Sequence, residues 1–310
     1  MTDTFNHRSG FVAIAGCPNV GKSTLLNQLL GERIAIATPM PQTTRHTLRG
    51  ILTLPGAQVV FLDTPGFHDP RSKLNEAMVR AAAEALEEVD LVLFLVDGGR
   101  PPGDGDRAVA TRLAEAGRPV VLVINKWDRV PEEERDTRLA QYQALGAFDA
   151  TQCVCALEAA AAAALLPEVI PRMADGPPFY PEEQLTDQTL RQVVAELVRE
   201  QVIRQCADEV PHQVAVGVDR YLEDGAPDPD APDKPRAPGD FVMATIYVER
   251  DSQKGIIIGK GGRRIKAIGQ SARFGMERIT GHPVHLKLFV KLRENWRKDT
   301  QFLREMGFRC

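Results

Sequence analysis

The chain has 310 residues, 43% hydrophobic and 26% charged, ordinary values for a globular protein with room for two domains. It has no run of about 20 uncharged apolar residues, and its polar start, MTDTFNHRSG, lacks the apolar core of a signal peptide, so neither a membrane span nor export is expected. The net charge of −4 is unevenly spread: residues 1–180 carry 17 Lys and Arg against 22 Asp and Glu, whereas residues 241–310 carry 15 against 6. A basic tail region behind a mildly acidic front points to an anionic partner for the tail. The five cysteines, Cys17, Cys153, Cys155, Cys206 and Cys310, are odd in number and fit no disulfide framework, so a reduced cytoplasmic setting is expected.

In chain order, Phe11–Ala15 is a short apolar run, followed by a glycine-rich loop and an apolar-periodic segment, Ser23–Leu30. That order predicts strand, loop and helix. Val59–Leu62, Leu91–Val96 and Val120–Ile124 are further continuous apolar runs of the kind that fill strands buried on both faces of a parallel sheet. Helical patterns at Lys73–Glu88 and Asp106–Ala116 lie between them, and the alanine run Ala159–Ala164 reads as a small-residue helix. The alternation predicts a doubly wound α/β domain over residues 1–175. A proline-rich break then gives an expected linker at 176–189.

From residue 190 the pattern changes. Leu190–Cys206 has helical periodicity, and Val214–Leu222 and Phe241–Glu249 alternate like strands. The segment between those strands, residues 223–240, is acidic and carries five prolines, a composition that cannot bury a core and predicts a mobile hairpin loop. Two helical stretches around Gly259–Gly262, a strand at Val284–Val290 and a closing helix follow, giving an α-β-β-α-α-β-α domain over 190–310.

Four motifs in the first domain carry chemistry. Gly16-Cys-Pro-Asn-Val-Gly21-Lys22-Ser23 matches G-x-x-x-x-G-K-[ST] between a strand and a helix. Its glycines let backbone N–H groups of Gly16, Asn19, Val20, Gly21 and the helix start through Thr24 point at phosphates. Lys22 adds a charge near the β- and γ-phosphates, and the Ser23 hydroxyl suits Mg²⁺. Asp63-Thr64-Pro65-Gly66 follows a strand: Asp63 is placed to hold Mg²⁺, usually through water, and Gly66 N–H to meet a γ-phosphate. In the loop between the first helix and the second strand, Thr43 or Thr44 can reach Mg²⁺ only when a γ-phosphate is present, with Thr44 preferred. Thr43, Thr44, Pro65, Gly66 and Phe67 are therefore the expected switch residues.

Asn125-Lys126-Trp127-Asp128, after the strand Val120–Ile124, separates guanine from adenine. The Asp128 carboxylate can accept from the ring N–H and the exocyclic amine of guanine, a donor pair adenine lacks. Asn125 can bond the purine edge or tie neighbouring loops, and the Lys126 stem can cover the base. Phe67 stands where a glutamine could orient the attacking water, and it cannot do that work, so slow intrinsic hydrolysis is expected.

In the second domain, Gly259-Lys260-Gly261-Gly262 lies between two helical stretches. With 25 glycines in the chain about two such pairs arise by chance, so the context decides. From Lys254 to Lys298 there are 12 Lys and Arg against 2 Asp and Glu. A G-x-x-G loop lets a single-stranded backbone approach and about four nucleotides be clamped. Lys260, Arg263 and Arg264 would neutralise phosphates, and Ile256, Ile257 and Ile258 with the adjoining strand would form the groove for bases.

A G-C-P-N-V-G-K-S loop with P-Q-T-T-R, D-T-P-G and N-K-W-D, followed by G-K-G-G, resembles the Era family of bacterial GTPases over nearly the whole chain, Phe11 to Phe308. The resemblance implies an Era-type G domain followed by an α+β type II KH domain. It implies GTP hydrolysis with Mg²⁺, K⁺ binding aided by Asn19, and a monomer that meets no DNA. It further implies binding of the 3′ region of 16S rRNA during maturation of the small ribosomal subunit, with GTP favouring the RNA-competent state. The implied location is the cytoplasm, with peripheral contact at the inner membrane. Cys155-Ala156-Leu157 stands for the family's S-A-x element, whose backbone N–H, here that of Ala156, would meet the guanine oxygen. Two other readings remain open: a KH RNA-binding protein with an inert nucleotide domain, and a GTPase acting at membranes or on tRNA modification.

Overall fold

In this computed structural model residues 7–38, 40, 43–67, 72–206, 210–227, 229 and 236–310 are described. The chain divides into two units, the first ending at Asp187 and the second beginning at Gln188.

The apolar runs form the centre of the first unit's sheet. β1 (Arg8–Ala15), β3 (Ala57–Asp63), β4 (Leu91–Asp97) and β5 (Val120–Asn125) are parallel and buried on both faces, as helices on either side require. β2 (Leu48–Leu54) pairs antiparallel with β3, β6 (Ala150–Cys153) pairs parallel with β5, and the order is β2-β3-β1-β4-β5-β6. The connecting helices are α1 (Lys22–Leu30), α2 (Lys73–Glu87), α3 (Asp104–Ala116), α4 (Arg135–Gln143) and α5 (Ala159–Val169). Parallel order places the carboxyl ends of β1, β3, β4 and β5 along one edge, where the loops of such sheets collect ligands.

β2 and β6 are strands the apolar runs do not announce. Gly50 interrupts β2 because a Cβ there would stand 2.7 Å from both Leu26 Cδ1 and Leu30 Cδ1 of α1. The expected linker at 176–189 belongs, as far as Asp187, to the first unit. The reason is Gln58, a buried amide on β3: its Oε1 accepts from Phe179 N (2.7 Å) and Tyr180 N (2.9 Å), and its Nε2 donates to Tyr180 O (2.9 Å). Further on, Ile51 N donates to Leu185 O (2.8 Å) and Thr186 Oγ1 to Arg49 O (2.7 Å), so this segment covers the outer edge of β2. The short β7 (Ala174–Asp175) pairs with Arg8 and Ser9, ahead of the stretch of β1 taken by β4.

The second unit is built on β8 (Ala215–Leu222), β9 (Asp240–Val248) and β10 (Val284–Leu292), with β8 antiparallel and β10 parallel to the central β9. α6 (Leu190–Gln205), α7 (Asp251–Ile258) and α8 (Arg263–Thr280) cover one face and bury Val198, Val242, Ile246, Ile268 and Ala272 with it. The closing segment packs on the opposite face at one end: Phe302 of α9 (Thr300–Glu305) meets Tyr247 edge-on at 4.9 Å, and a Cβ at Gly217 would lie 3.1 Å from Met306 Cε. Much of the acidic loop, residue 228 and residues 230–235, lies outside the described residues. Its base is pinned: buried Asp240 accepts from Tyr221 Oη (2.6 Å) and Asp224 N (2.9 Å), and Asp224 Oδ1 accepts from Gly239 N (2.6 Å). Among the described residues no helix is long and apolar enough to cross a membrane.

Candidate functional site

The glycines of the 16–23 loop are required by close approach as well as by conformation. Gly16 (φ 151°) would place a Cβ 2.2 Å from Leu95 O, and Gly21 (φ 107°) one 2.4 Å from Asn125 Nδ2. The loop is thereby seated on the ends of β4 and β5. Inside it the Lys22 ammonium is buried and donates to Gly16 O (3.1 Å) and Cys17 O (3.0 Å). Burial pulls the Lys22 pKa down, and Asp63 and Cys17 act against that pull. Gly21 caps α1, whose first N–H groups have no partner within the helix.

The three expected Mg²⁺ ligands come together. Ser23 Oγ donates to Asp63 Oδ2 (2.6 Å), Thr44 Oγ1 donates to the same oxygen (3.1 Å), and the two hydroxyls are 2.8 Å apart. Asp63 is fully buried, which raises its pKa against the opposing Lys22 charge and the hydroxyl hydrogen bonds. Its other oxygen, Oδ1, is buried with no hydrogen-bond partner. An orphaned carboxylate oxygen beside two hydroxyls fits a hard divalent cation. Thr43 is turned elsewhere: its hydroxyl donates to Met40 O (2.6 Å) and lies 2.6 Å from Thr38 Oγ1. Of the two threonines, Thr44 is the one at the carboxylate.

The remaining motif residues converge on the same edge. A cavity of about 530 Å³ is lined by Asn19, Gly21, Lys22, Ser23, Thr24, Thr43, Thr44, Gly66 and Lys126 among others. Gly66 sits against the loop, where a Cβ would be 2.9 Å from Pro18 N. Thr64 donates to Ile14 O (2.9 Å), and Pro65 and Phe67 are buried. The Phe67 ring is capped by the Arg112 guanidinium of α3, 5.2 Å from its centroid. Asn125 ties loops together: Nδ2 donates to Val20 O (2.7 Å) and Oδ1 accepts from Ala156 N (2.8 Å). Lys126 Nζ bridges Asn19 O (2.9 Å) and Asp97 Oδ2 (2.7 Å), which lays its stem along the cavity wall. Asp128 is exposed, with the Cys155 thiol hydrogen-bonded to it.

In the second unit Gly259 (φ 70°), Gly261 (φ 61°) and Gly262 (φ 75°) turn the chain between α7 and α8. A Cβ on Gly259 would meet Arg264 Cβ at 2.8 Å, whereas Gly261 and Gly262 face open space. Arg264 Nη1 caps α7 through Ile256 O (2.7 Å), and Arg263 Nε donates to Lys260 O (3.3 Å). Beside the loop a second cavity, of about 510 Å³, runs between α8 and β10, lined by Ile265, Lys266, Gly269, Gln270, Arg273 and residues 284–288.

A model of the 50S ribosome-binding GTPases matches residues 11–126, and a KH domain model matches residues 238–297. The chain is 43% identical over 301 residues to GTPase Era of Heliobacterium modesticaldum, covering 97% of each. It is 45% identical over 303 residues to GTPase Era of Geobacter metallireducens, covering 97% of this chain and 98% of that one. The chain belongs to the GTPase Era family. Two crystal structures of Era superpose on it. One, in complex with MgGDPNP and nucleotides 1506-1542 of 16S ribosomal RNA, does so with a TM-score of 0.90 at 34% identity, over 98% of this chain and 100% of that one. The other, an Aquifex aeolicus Era variant bound to GDP.AlF4−, does so at 0.89 and 35% over the same shares.

As an Era-family GTPase the protein departs from the expected site in two places. The Ala156 N–H, expected to face guanine, is taken by Asn125 Oδ1, because the loop after β6 is drawn onto the end of β5. Ile257, expected in the RNA groove, is in the hydrophobic core; only Ile256 and Ile258 of that run reach the surface, since consecutive residues of a helix cannot share a face. The cavity between α8 and β10 is lined instead by Lys266, Gly269, Gln270 and Arg273, which follow Ile265 at helical spacing, a signal present in the sequence.

Sequence reasoning also misses the support behind the phosphate loop. Asp106, buried at the start of α3, holds Arg100 through two bonds of 2.7 and 3.1 Å, and hydrogen-bonds the Cys17 thiol. Burial, with Asp106 adding to it, pushes Cys17 up to about 11. Tyr142 Oη donates to Asp97 O (2.8 Å) and Arg100 O (3.1 Å). Apart from the Arg100–Asp106 pair, these contacts join residues far apart in sequence, and no local spacing announces them.

Proposed function

We propose that this Era-family GTPase is a switch that binds the 3′ region of 16S rRNA and assists maturation of the small ribosomal subunit. The observation that carries the reading is the superposition, over nearly the whole chain, on an Era held with MgGDPNP and that RNA segment. The basic groove between α8 and β10, opening beside a glycine loop with room over Gly261 and Gly262, supports it from this chain's own residues.

In this reading the N–H groups of Gly16, Asn19, Val20, Gly21 and the start of α1 through Thr24 hold the phosphates, and Lys22 supplies their countercharge. Ser23, Thr44 and Asp63 hold Mg²⁺, which when bound neutralises charge between the phosphates. Thr44, Gly66 and Phe67 report on the γ-phosphate. Asp128 reads guanine, while Asn125 ties the phosphate loop to the base loop. Phe67 is packed in the core under Arg112, so the attacking water is oriented by other groups and intrinsic turnover is slow. Asn19, exposed in the phosphate loop, is the residue that would help hold K⁺; equal rates in K⁺ and Na⁺ would remove that part. The protein works as a monomer in the cytoplasm, with peripheral contact at the inner membrane.

The test is a comparison of labelled RNAs. A fragment matching the 3′ end of 16S rRNA should bind the GTP-analogue form at least tenfold more tightly than a scrambled sequence of equal length. Equal affinity for both would leave only a nonspecific basic surface.

A further inference from the structure

The groove runs along β10, the edge strand of the sheet. One face of β10 turns toward the helices, and the other faces away from α6, α7 and α8 and is only partly covered. Val284, Leu286, Leu288 and Val290 pack against the helices, so His285, Lys287, Phe289 and Lys291 form a row on the outer face, two residues apart along the strand. On β9, in register with them, are Phe241, Met243, Thr245 and Tyr247. The closing segment packs over Tyr247 and Gly217, and it stops short of this row. Phe289 is left 43% exposed between two exposed lysines, and Lys287 Nζ stands 5.2 Å from the ring centroid of Phe241. Asp219, the carboxylate that accepts from Thr245 Oγ1 (2.7 Å), is on β8, two strands from the row.

We infer that this outer face is a second single-stranded RNA contact, continuous with the groove. The inference rests on the rRNA reading above and extends it. Three observations favour RNA as the occupant. An exposed aromatic face between lysines is what an unpaired base with its flanking phosphates requires, and stacking of this kind tolerates any base. The row lies on an edge strand, so a backbone can pass around it without disturbing the sheet. His285 and Lys287 line the groove as well as belonging to the row, which joins the two surfaces through the same residues. An RNA strand leaving the groove at β10 thus meets Phe289 and Lys291 next.

The experiment uses the full chain loaded with a non-hydrolysable GTP analogue and two RNAs. One is a short single strand of about six nucleotides that fills the groove alone, and the other is the same strand extended by about six unpaired nucleotides. Wild type should bind the extended strand at least tenfold more tightly. Phe289→Ala with Lys291→Ala should remove that gain, leave the short strand within twofold, and lower the salt dependence for the extended strand. Lys291→Ala alone, which alters no packed residue, guards against a folding artefact and should remove part of the gain. If wild type binds the short strand but the extension adds nothing, or the variants keep the gain, the outer face is not an RNA contact while the groove stands. If wild type binds neither strand, the rRNA reading itself fails. If the variants lose flotation with anionic phosphatidylglycerol vesicles and keep the gain on RNA, the face belongs to a membrane and the inference is overturned.

Discussion

The two ligand-facing regions are built in opposite ways. The nucleotide site is made largely of backbone: glycines that admit no Cβ, amide groups at a helix start, and a few side chains whose bonds tie loop to loop. The proposed RNA groove of the second unit is made largely of side chains spread along α8 and β10, with only its neighbouring loop formed by glycines. A backbone site fixes residue type and spacing, whereas a side-chain groove can be rebuilt from many residues as long as its charge and shape persist. The comparison predicts that single substitutions at the nucleotide site are severe and that those in the groove, the clamp excepted, are graded.

The largest effect is expected for Lys22→Ala. It removes the buried ammonium that faces the phosphates, and should weaken nucleotide binding about 100-fold, from roughly 3 kcal/mol for a charge-assisted contact. Titration with a fluorescent guanine nucleotide reads this directly. Asn125→Ala comes next. It orphans the Val20 carbonyl and the Ala156 N–H, both buried, at about 1–3 kcal/mol each, so nucleotide affinity and melting temperature should fall together.

In the second unit Gly261→Asp should cost at least tenfold in RNA affinity and leave nucleotide binding unchanged. The new side chain meets open space, and although φ 61° strains it by about 1 kcal/mol, Asp adopts that conformation more readily than most residues, while its carboxylate repels phosphate where the clamp closes. Filter binding and nucleotide titration on the same preparation separate the two effects. Lys266→Ala, in the groove, should cost only about threefold and lower the salt slope by about one.

The smallest effect concerns Cys17. Its thiol is held neutral up to about 11, above its ordinary 9.0, so the neutral form is favoured in the folded state. Stability from this group is complete below pH 9 and falls as pH rises through the interval to about 11. Cys17→Ser should flatten denaturation midpoints measured across that interval; an unchanged pH dependence would remove the assignment.

The same contrast explains what the sequence reveals. The parallel core was legible because β3, β4 and β5 are unbroken apolar runs, and the nucleotide motifs were legible because backbone sites demand glycine at fixed places. β2 was not, because Gly50 makes room for Leu26 and Leu30 and breaks the run. The expected linker at 176–189 lies largely in the first unit because its prolines mark an irregular segment that Gln58 nonetheless captures on that unit's surface. Asp106, Arg100 and Tyr142 act across distances of chain that carry no periodic signal. In the second unit the run Ile256–Ile258 reads as one apolar surface, and helix geometry sends Ile257 to the core.

The central claim is that a nucleotide switch and an RNA groove work together in one chain. Its most direct test is the affinity of a labelled oligonucleotide matching the 3′ end of 16S rRNA for protein loaded with a non-hydrolysable GTP analogue, compared with GDP. Tighter binding in the GTP-like state is the predicted result. Equal binding in both states would contradict the switch, and no binding in either would contradict the RNA partner as well.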